Sequence, residues 1–276
     1  MENKYEIKIK PIQTSHLLNI PELWRYRELF YIFAWRDIKV RYKQTLLGIA
    51  WALLQPVGSM IIFTIFFGKL AKIPSNDLPY SLFVLIGLAF WGFFLNTISH
   101  AANSLIENEG IIKKIYFPRQ ILPLSVITTS LADFGISFLL LLLMGFYFGY
   151  IPSSASLFII PLGLLISSLG AAGIGLFLAA FNVKYRDVRY ILPYFTQLLI
   201  FLTPVIYPLS IVGRLNRLVI AINPVAGVIE SARKVLTGSV FVDYQVLAVS
   251  FISSIVLFIL GLTYFRATEK FFADII

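Results

Sequence analysis

Of the chain's 276 residues, 58% are hydrophobic and only 13% are charged, against roughly a quarter charged in ordinary soluble domains. This composition excludes a typical soluble protein and indicates a membrane protein. The net charge of +9 does not indicate nucleic-acid binding, because the cations lie in short segments between apolar runs, which is how membrane proteins are oriented. The absence of cysteine excludes disulfides and thiolate metal sites.

The stretch from Ile20 to Pro56 passes directly from mixed-charge, aromatic sequence into a long apolar run. Residues 22–43, wound as a helix at about 100° per residue, gather apolar side chains on one face and charged ones opposite, with exceptions such as Arg27. The pattern predicts an amphipathic helix that lies along a membrane surface. An amphipathic helix of a soluble core is the alternative, which the composition disfavours.

Six apolar stretches are long enough to cross a hydrocarbon core, which takes about 20 helical residues. They lie at 47–70, 80–105, 121–150, 157–183, 191–209 and 244–266. Since the number is even and 17 of the 23 Lys and Arg residues lie on the side of the termini, both termini are predicted to be cytoplasmic. We expect a single all-α membrane domain with an N-terminal cytoplasmic region (1–45), six spans (47–266) and a cytoplasmic tail (267–276).

The loop from Ser104 to Arg119 is too long and too patterned for a simple turn. Two acidic residues precede a glycine and two basic residues follow it, which predicts a short cytoplasmic helix or helix pair. It is either a solvated loop of the positive-inside type or a docking element for a cytoplasmic partner. The same two interpretations apply to the shorter cytoplasmic element between the fourth and fifth spans, at Tyr185, Arg186, Asp187 and Arg189.

Asp133 is the only acidic residue well inside a predicted span. A carboxylate at that depth is costly and faces the bundle interior, where its role is either structural or part of pore and gating work. We expect no second ionisable group at the same depth, which argues against a proton relay. His100 is predicted to be an interfacial residue.

The fifth predicted span carries Pro193, Pro204 and Pro208, and is expected to bend or break because proline lacks a backbone donor and restricts the residue before it. Two short helices follow, and the second begins with Asn223 as its N-cap and Pro224 in its first turn. Neither is long enough to cross. Residues 204–236 are therefore interpreted as re-entrant, which suits a gate or a lid.

The motifs of common enzymes are missing from the sequence. It has no Walker A pattern, no cluster with metal-ligand spacing and no nucleophile motif, so we expect neither a catalytic site nor a bound metal or cofactor. The glycines between Gly163 and Gly175 lie inside an apolar span, where small residues allow close helix packing.

Three segments carry a resemblance to a known family: LWRYRELFYIFAWRDIKVRYKQTLLGIAWALLQP, KKIYFPRQILPLS at 113–125 and NPVAGVIESARKVLTG at 223–238. The chain resembles the permease subunits of ABC-2 type polysaccharide exporters along nearly its whole length. Such permeases export lipid-linked O-antigen, capsule or teichoic-acid chains across the bacterial cytoplasmic membrane.

The resemblance implies a homodimer around a channel, paired with two copies of a separate nucleotide-binding subunit that binds ATP and Mg. It implies an interface helix at about 21–41, whose charged face is available to that partner, and a coupling helix within 107–116. The candidate coupling residues are Arg25, Glu28, Arg36, Lys39, Glu107, Glu109, Lys113 and Lys114. The substrate is expected to enter near Arg41, Lys43, Leu47 and Gly48, and a periplasmic gate would include Pro204, Pro208, Asn223 and Pro224.

Aromatic rings and amides are the groups expected to line a glycan channel, because sugars pack C–H faces on rings while their hydroxyls need polar partners. The first and fifth spans mix the two kinds of side chain, at Trp51, Gln55, Tyr194, Phe195, Gln197, Phe201 and Tyr207. The alternative is that these rings face lipid or form interfacial belts.

The resulting hypothesis is ATP-driven export of an undecaprenyl-linked polysaccharide, with O-antigen as the first candidate. An ABC-2 exporter of teichoic acid, capsule, drug or lipid is the alternative within transport. A membrane glycosyl- or acyltransferase needs an acid pair that Asp133 and His100 do not provide, and an ion-coupled flippase would depend on Asp133 alone.

Overall fold

The protein is described by a computed structural model that covers residues 20–43, 49–185, 187–239 and 241–272. Leu47 and Gly48 lie outside these ranges, and the side chain of Trp51 is also outside the description. All regular secondary structure within these ranges is helical. The predicted all-α class is confirmed.

Eleven α-helices follow in chain order within the described residues. The first six are α1 (Ile20–Arg25), α2 (Arg27–Lys43), α3 (Ile49–Phe63), α4 (Tyr80–Glu107), α5 (Glu109–Ile112) and α6 (Ile121–Tyr147). The remaining five are α7 (Ser156–Lys184), α8 (Val188–Leu202), α9 (Arg214–Ile220), α10 (Pro224–Leu236) and α11 (Tyr244–Glu269). A π-helical segment (Thr64–Leu70) extends α3, and a short 3₁₀ turn (Leu209–Ile211) precedes α9.

Five helical stretches of the described chain are long and apolar enough to span a membrane, namely 53–70 at the end of α3 with its π-helical extension, α4, α6, α7 and α11. They match five of the six predicted spans. The remaining predicted span, the fifth in chain order, corresponds to α8, which has only 15 residues. It continues through Pro193 but ends at Leu202, because Pro204 holds Thr203 in an extended conformation (φ −93°, ψ 139°).

Helix α4 is the central element of the fold. It packs against α7, α6, α3 and α10, and 72% of its most apolar stretch is buried. The corresponding fraction for the span at α3 is only 6%. A single copy of the chain therefore leaves α3 largely uncovered.

Close packing of α7 against α11 depends on two glycines. A Cβ built on Gly173 or on Gly261 would collide with the backbone of the opposite helix. Gly170 likewise has no room for a side chain, because its Cβ would lie 2.8 Å from the ring of Pro224. The predicted packing role of the glycine run is confirmed.

Helix α2 packs along α6 and reaches the C-terminal part of α4 through side chains. In its middle part, the ring of Phe33 lies 5.8 Å from that of Phe117, and Arg36 donates to the side chain of Asn108 over 2.8 Å. Its last turn reaches Asp133, which lies in the fourth turn of α6. Helix α2 is thus packed on the bundle, and its position relative to a lipid surface stays a prediction.

Candidate functional site

A cavity of about 520 Å³ lies between α2, α3, α4 and α6. Its polar lining combines an ion pair, two amides and three hydroxyls, contributed by Arg41, Tyr42, Gln55, Ser59, Asn96, Asp133 and Ser137. Its apolar lining includes the aromatic rings of Trp91, Phe93 and Phe134. The volume falls within the range of about 300–1,000 Å³ that small-molecule sites occupy.

The charged end of the cavity is built from three helices. Arg41 of α2 forms an ion pair with Asp133 of α6, with 2.5 Å between Nη1 and Oδ2. The hydroxyl of Tyr42 donates to the other carboxylate oxygen of Asp133. His100 of α4 lies beside the pair, with its Nε2 atom 3.4 Å from Nη2 of Arg41.

The environment of Tyr42 keeps its hydroxyl protonated. Burial, followed by the hydrogen bond to Asp133 and by the charge of that carboxylate, raises the pKa of Tyr42 well above its ordinary value. The phenol therefore remains a hydrogen-bond donor at neutral pH. Two consecutive residues of α2, Arg41 and Tyr42, therefore both contact the carboxylate of Asp133.

The expectation that Asp133 has no ionisable partner was wrong. Arg41 lies outside the predicted spans, but α2 runs along α6 and carries Arg41 to the carboxylate. Arg41 and Asp133 are far apart in the sequence, but they meet because α2 packs alongside the spanning helix α6. The pairing offsets the desolvation cost of the carboxylate.

The sequence also matches a known protein family. The sequence model of the ABC-2 type transporter family matches residues 28–237, well over half of the chain. The chain belongs to the ABC-2 type transporter family. This ABC-2 permease is a multi-pass membrane protein, and the resemblance drawn from its three sequence segments is confirmed.

Similar proteins match almost end to end. The O-antigen export system permease protein RfbA of Myxococcus xanthus is 29% identical, and the match covers 92% of this chain and 98% of that protein. The RfbA protein of Klebsiella pneumoniae is 27% identical, over 90% of this chain and 95% of its own. The polysialic acid transport protein KpsM of Escherichia coli is 23% identical, over 85% and 91%.

The residues predicted to line the channel do not share one surface in a single copy of this ABC-2 permease. Gln55 lines the cavity, whereas Tyr194, Phe195, Gln197 and Phe201 are exposed on α8. Phe195 also borders an apolar groove of about 310 Å³ between α4, α7 and α8. The half-buried Tyr207 lies beyond the end of α8 and donates to the carbonyl of Leu202 over 3.3 Å.

The residues predicted at the substrate entrance are only partly described. Arg41 lies in the cavity wall, and Lys43 is exposed at the last position of α2. Leu47 and Gly48 lie outside the described residues. The structure thus places Arg41, but not Lys43, in the lining of the cavity.

The two predicted coupling elements meet each other. Arg36 of α2 donates to Asn108, which lies between α4 and α5, and is also paired with Asp37 at 2.8 Å. On α5, Glu109 pairs with Lys113 at 2.6 Å. The other predicted coupling residues are exposed: Arg25, Glu28, Lys39, Glu107 and Lys114.

The predicted gate residues converge on the irregular segment after α8. The side chain of Asn223 accepts from the backbone of Val225 and donates to the hydroxyl of Thr203 over 2.8 Å, which confirms the predicted N-cap. Pro204, Pro208 and Pro224 are buried around it. This cap therefore joins the start of α10 to the end of α8.

Sequence reasoning missed Arg233, the fully buried cation of α10. Its guanidinium donates to the carbonyls of Val205 (2.8 Å) and Phe83 (3.2 Å) and lies over the ring of Phe83. Glu230, one turn earlier, lies 3.9 Å from it. The sequence did offer a signal for this buried cation. Glu230 and Arg233 are an acidic and a basic residue three positions apart, on a helix face that is otherwise apolar.

Sequence reasoning also missed most of the polar lining of the cavity. Asn96 and Ser137 were hidden because α4 and α6 each carry several other hydroxyl or amide side chains, so neither residue stands out in the sequence. One signal was present: Asp133 and Ser137 are four residues apart, and therefore share a face of α6.

Proposed function

We propose that this chain is the membrane subunit of an ATP-driven exporter of an undecaprenyl-linked polysaccharide, with O-antigen as the substrate. The observation that carries the proposal is the near end-to-end similarity to permeases named for O-antigen export, which covers 92% of this chain in the Myxococcus xanthus protein. A match of that extent leaves little of the chain for another architecture.

A homodimeric channel is supported by the surfaces that one copy leaves uncovered. Tyr194 and Phe201 on α8 are 64% and 57% exposed, and only 6% of the residues in the span at α3 are fully buried. Gln55 and Gln197 are exposed within the same two helices. Lipid offers an amide no hydrogen-bond partner, so these faces suit a second copy of the chain or a polar conduit better than hydrocarbon.

Hydrolysis of ATP is assigned to a separate nucleotide-binding subunit, present in two copies, which binds ATP and Mg. The absence of a Walker A pattern from the sequence supports this division of labour. The surface offered to that subunit combines the exposed charges of α2 with the α4–α5 junction, which Arg36 joins through Asn108.

The path of the substrate would begin near the last turn of α2 and end at the irregular segment before α9. Both termini and the coupling surface would face the cytoplasm, in the bacterial inner membrane. The buried packing of Pro204 and Pro208 supports a closed gate at the opposite end of the path.

Separate deletion of this gene and of the gene for its ATPase tests the function. Both deletions are expected to remove the surface polysaccharide and to cause undecaprenyl-linked polymer to accumulate inside the cell, because synthesis continues without export. Analysis of the lipid-extracted polymer identifies its sugars. Normal surface glycan and no accumulation in either strain would contradict the proposal.

Export of capsule is the second candidate, supported by the 23% identity with a polysialic acid transport protein. Teichoic acid, drug or lipid export are the remaining ABC-2 alternatives. The same deletion strains separate them, since the identity of the accumulated molecule differs in each case.

A further inference from the structure

The cavity between α2, α3, α4 and α6 is lined by more polar side chains than the contact between the helices requires. A structural ion pair between α2 and α6 needs neither the amide of Asn96 on α4 nor the hydroxyls of Ser59 on α3 and Ser137 on α6, all of which line the same space. Polar groups that converge on one concave space from different helices are the usual mark of a ligand site.

The charge of the cavity selects against an anion. Arg41 is compensated by Asp133 at 2.5 Å, and the further contacts come from Tyr42 and His100. A diphosphate would have to displace the carboxylate or remain beside it, and like charges at that range repel. The described lining holds no second cation that could offset this repulsion.

The neutral groups of the cavity match a sugar. Amide and hydroxyl side chains both donate and accept, as sugar hydroxyls require. Trp91 and Phe134 supply aromatic surface for C–H faces, and both are held in place by burial. Hydrocarbon alone would leave these polar groups without partners.

We propose that this cavity binds a neutral sugar residue, with the Arg41–Asp133 pair and Asn96 as its polar anchors. The inference rests on the proposed function, because it takes the sugar to be a unit of the exported glycan. It adds a glycan site within one copy of the chain, on the inner side of α3, distinct from the exposed face of α8.

Binding to the purified complex of permease and ATPase in phospholipid nanodiscs tests the site. The probes are the strain's own surface polysaccharide, freed from lipid by mild acid, and inorganic pyrophosphate, each followed by titration calorimetry. Asn96→Leu and Ser137→Leu fill the cavity from two helices and are expected to weaken glycan binding at least tenfold. Thr263→Leu makes a similar change on α11, away from the cavity, and should bind the glycan as wild type does.

Asp133→Asn keeps the shape of the side chain but removes its charge. It is expected to weaken glycan binding and to create pyrophosphate binding that wild type lacks, since Arg41 loses its counter-charge. A monodisperse Asp133→Asn complex can be titrated even if its melting temperature falls, so this variant tests the site if a leucine variant fails to fold.

Three results would overturn the inference: no glycan binding by wild type, unchanged glycan binding in Asn96→Leu and Ser137→Leu, or pyrophosphate binding by wild type that these variants abolish. The last result would make the cavity an anion site. If polymer accumulates in the deletion strain while the cavity variants bind normally, only the site is wrong. If no polymer accumulates, the proposed function itself fails.

Discussion

At the scale of single residues, the contact between Arg41 and Asp133 should matter for stability. The pair is part-buried, and removing one member leaves the other without its partner, at a cost of about 1–3 kcal/mol. Asp133→Ala is therefore expected to lower the apparent melting temperature of the detergent-purified protein. The exchanged pair, Arg41→Asp with Asp133→Arg, should recover part of the loss.

Asp187→Ala serves as the control, because Asp187 is exposed and its side chain makes no capping bond to α8. It should melt as wild type does. Equal losses in Asp133→Ala and in the exchanged pair would count against the ion pair as a stabilising contact.

Gly261 sets the distance between α7 and α11. Gly261→Ala should destabilise the protein by about 1–3 kcal/mol or more, because the added methyl group meets the backbone at Gly173 and must push the helices apart. Gly58→Ala in α3 is the matched control, since a Cβ there meets nothing within 4 Å. The yield of monodisperse protein and its melting temperature measure the difference, and equal behaviour of the two variants would refute the packing role.

At the scale of elements, the irregular segment between α8 and α9 is held by α10. Its carbonyls at Val205 and Ile206 accept from Arg233 and from Tyr80, which satisfies backbone that no helix covers. Arg233→Met keeps much of the side-chain volume but leaves the buried carbonyl of Val205 without its guanidinium donor, at a cost of about 1–3 kcal/mol.

The expected result is faster hydrogen–deuterium exchange across 203–211 in Arg233→Met, with the exchange of α7 unchanged. Lys234→Met, the neighbouring basic residue on a less buried face, is the control and should exchange as wild type does. Unaltered protection in Arg233→Met would show that the prolines alone hold the segment.

Two of the basic residues of α2, Arg36 and Lys39, have different surroundings. Lys39 is exposed, whereas Arg36 is bonded to Asp37 and Asn108. Lys39→Glu should lower substrate-dependent ATPase activity of the reconstituted complex without changing the melting temperature of the permease. Arg36→Glu should lower both, because it also breaks contacts within the chain. Normal ATPase activity in both variants would remove α2 from the coupling surface.

At the scale of the whole molecule, the proposed dimer can be tested by cross-linking, which the absence of cysteine makes simple. Gln197→Cys, on the exposed face of α8, should form a covalent dimer in membranes treated with a short thiol cross-linker. Ile259 on α11 is 46% exposed, and the Ile259→Cys variant should stay monomeric. Cross-linking at position 259 but not at 197 would place the interface on α11 instead.

The sequence predicted the features that depend on short stretches of chain. Apolar length located five spans, Asn223 with Pro224 marked the start of α10, and three prolines predicted a break in the fifth span, which occurs before Pro204 and not at Pro193. Each of these follows from backbone chemistry or from the transfer of consecutive residues into an apolar medium. The short length of α8 was missed, because apolar residues continue past Leu202 although the helix does not.

By itself, then, the sequence determined the all-helical membrane class, the family resemblance and the close packing around the glycine run, because these are written in composition, local pattern and contiguous motifs. Only the tertiary structure decided that Tyr42 and Asp133 meet across 91 positions and that Arg233 reaches Phe83 across 150. The physical reason is that a buried charge is stable only beside a partner, and the choice of partner depends on how whole helices pack. The polar cavity beside α2 is a product of that packing.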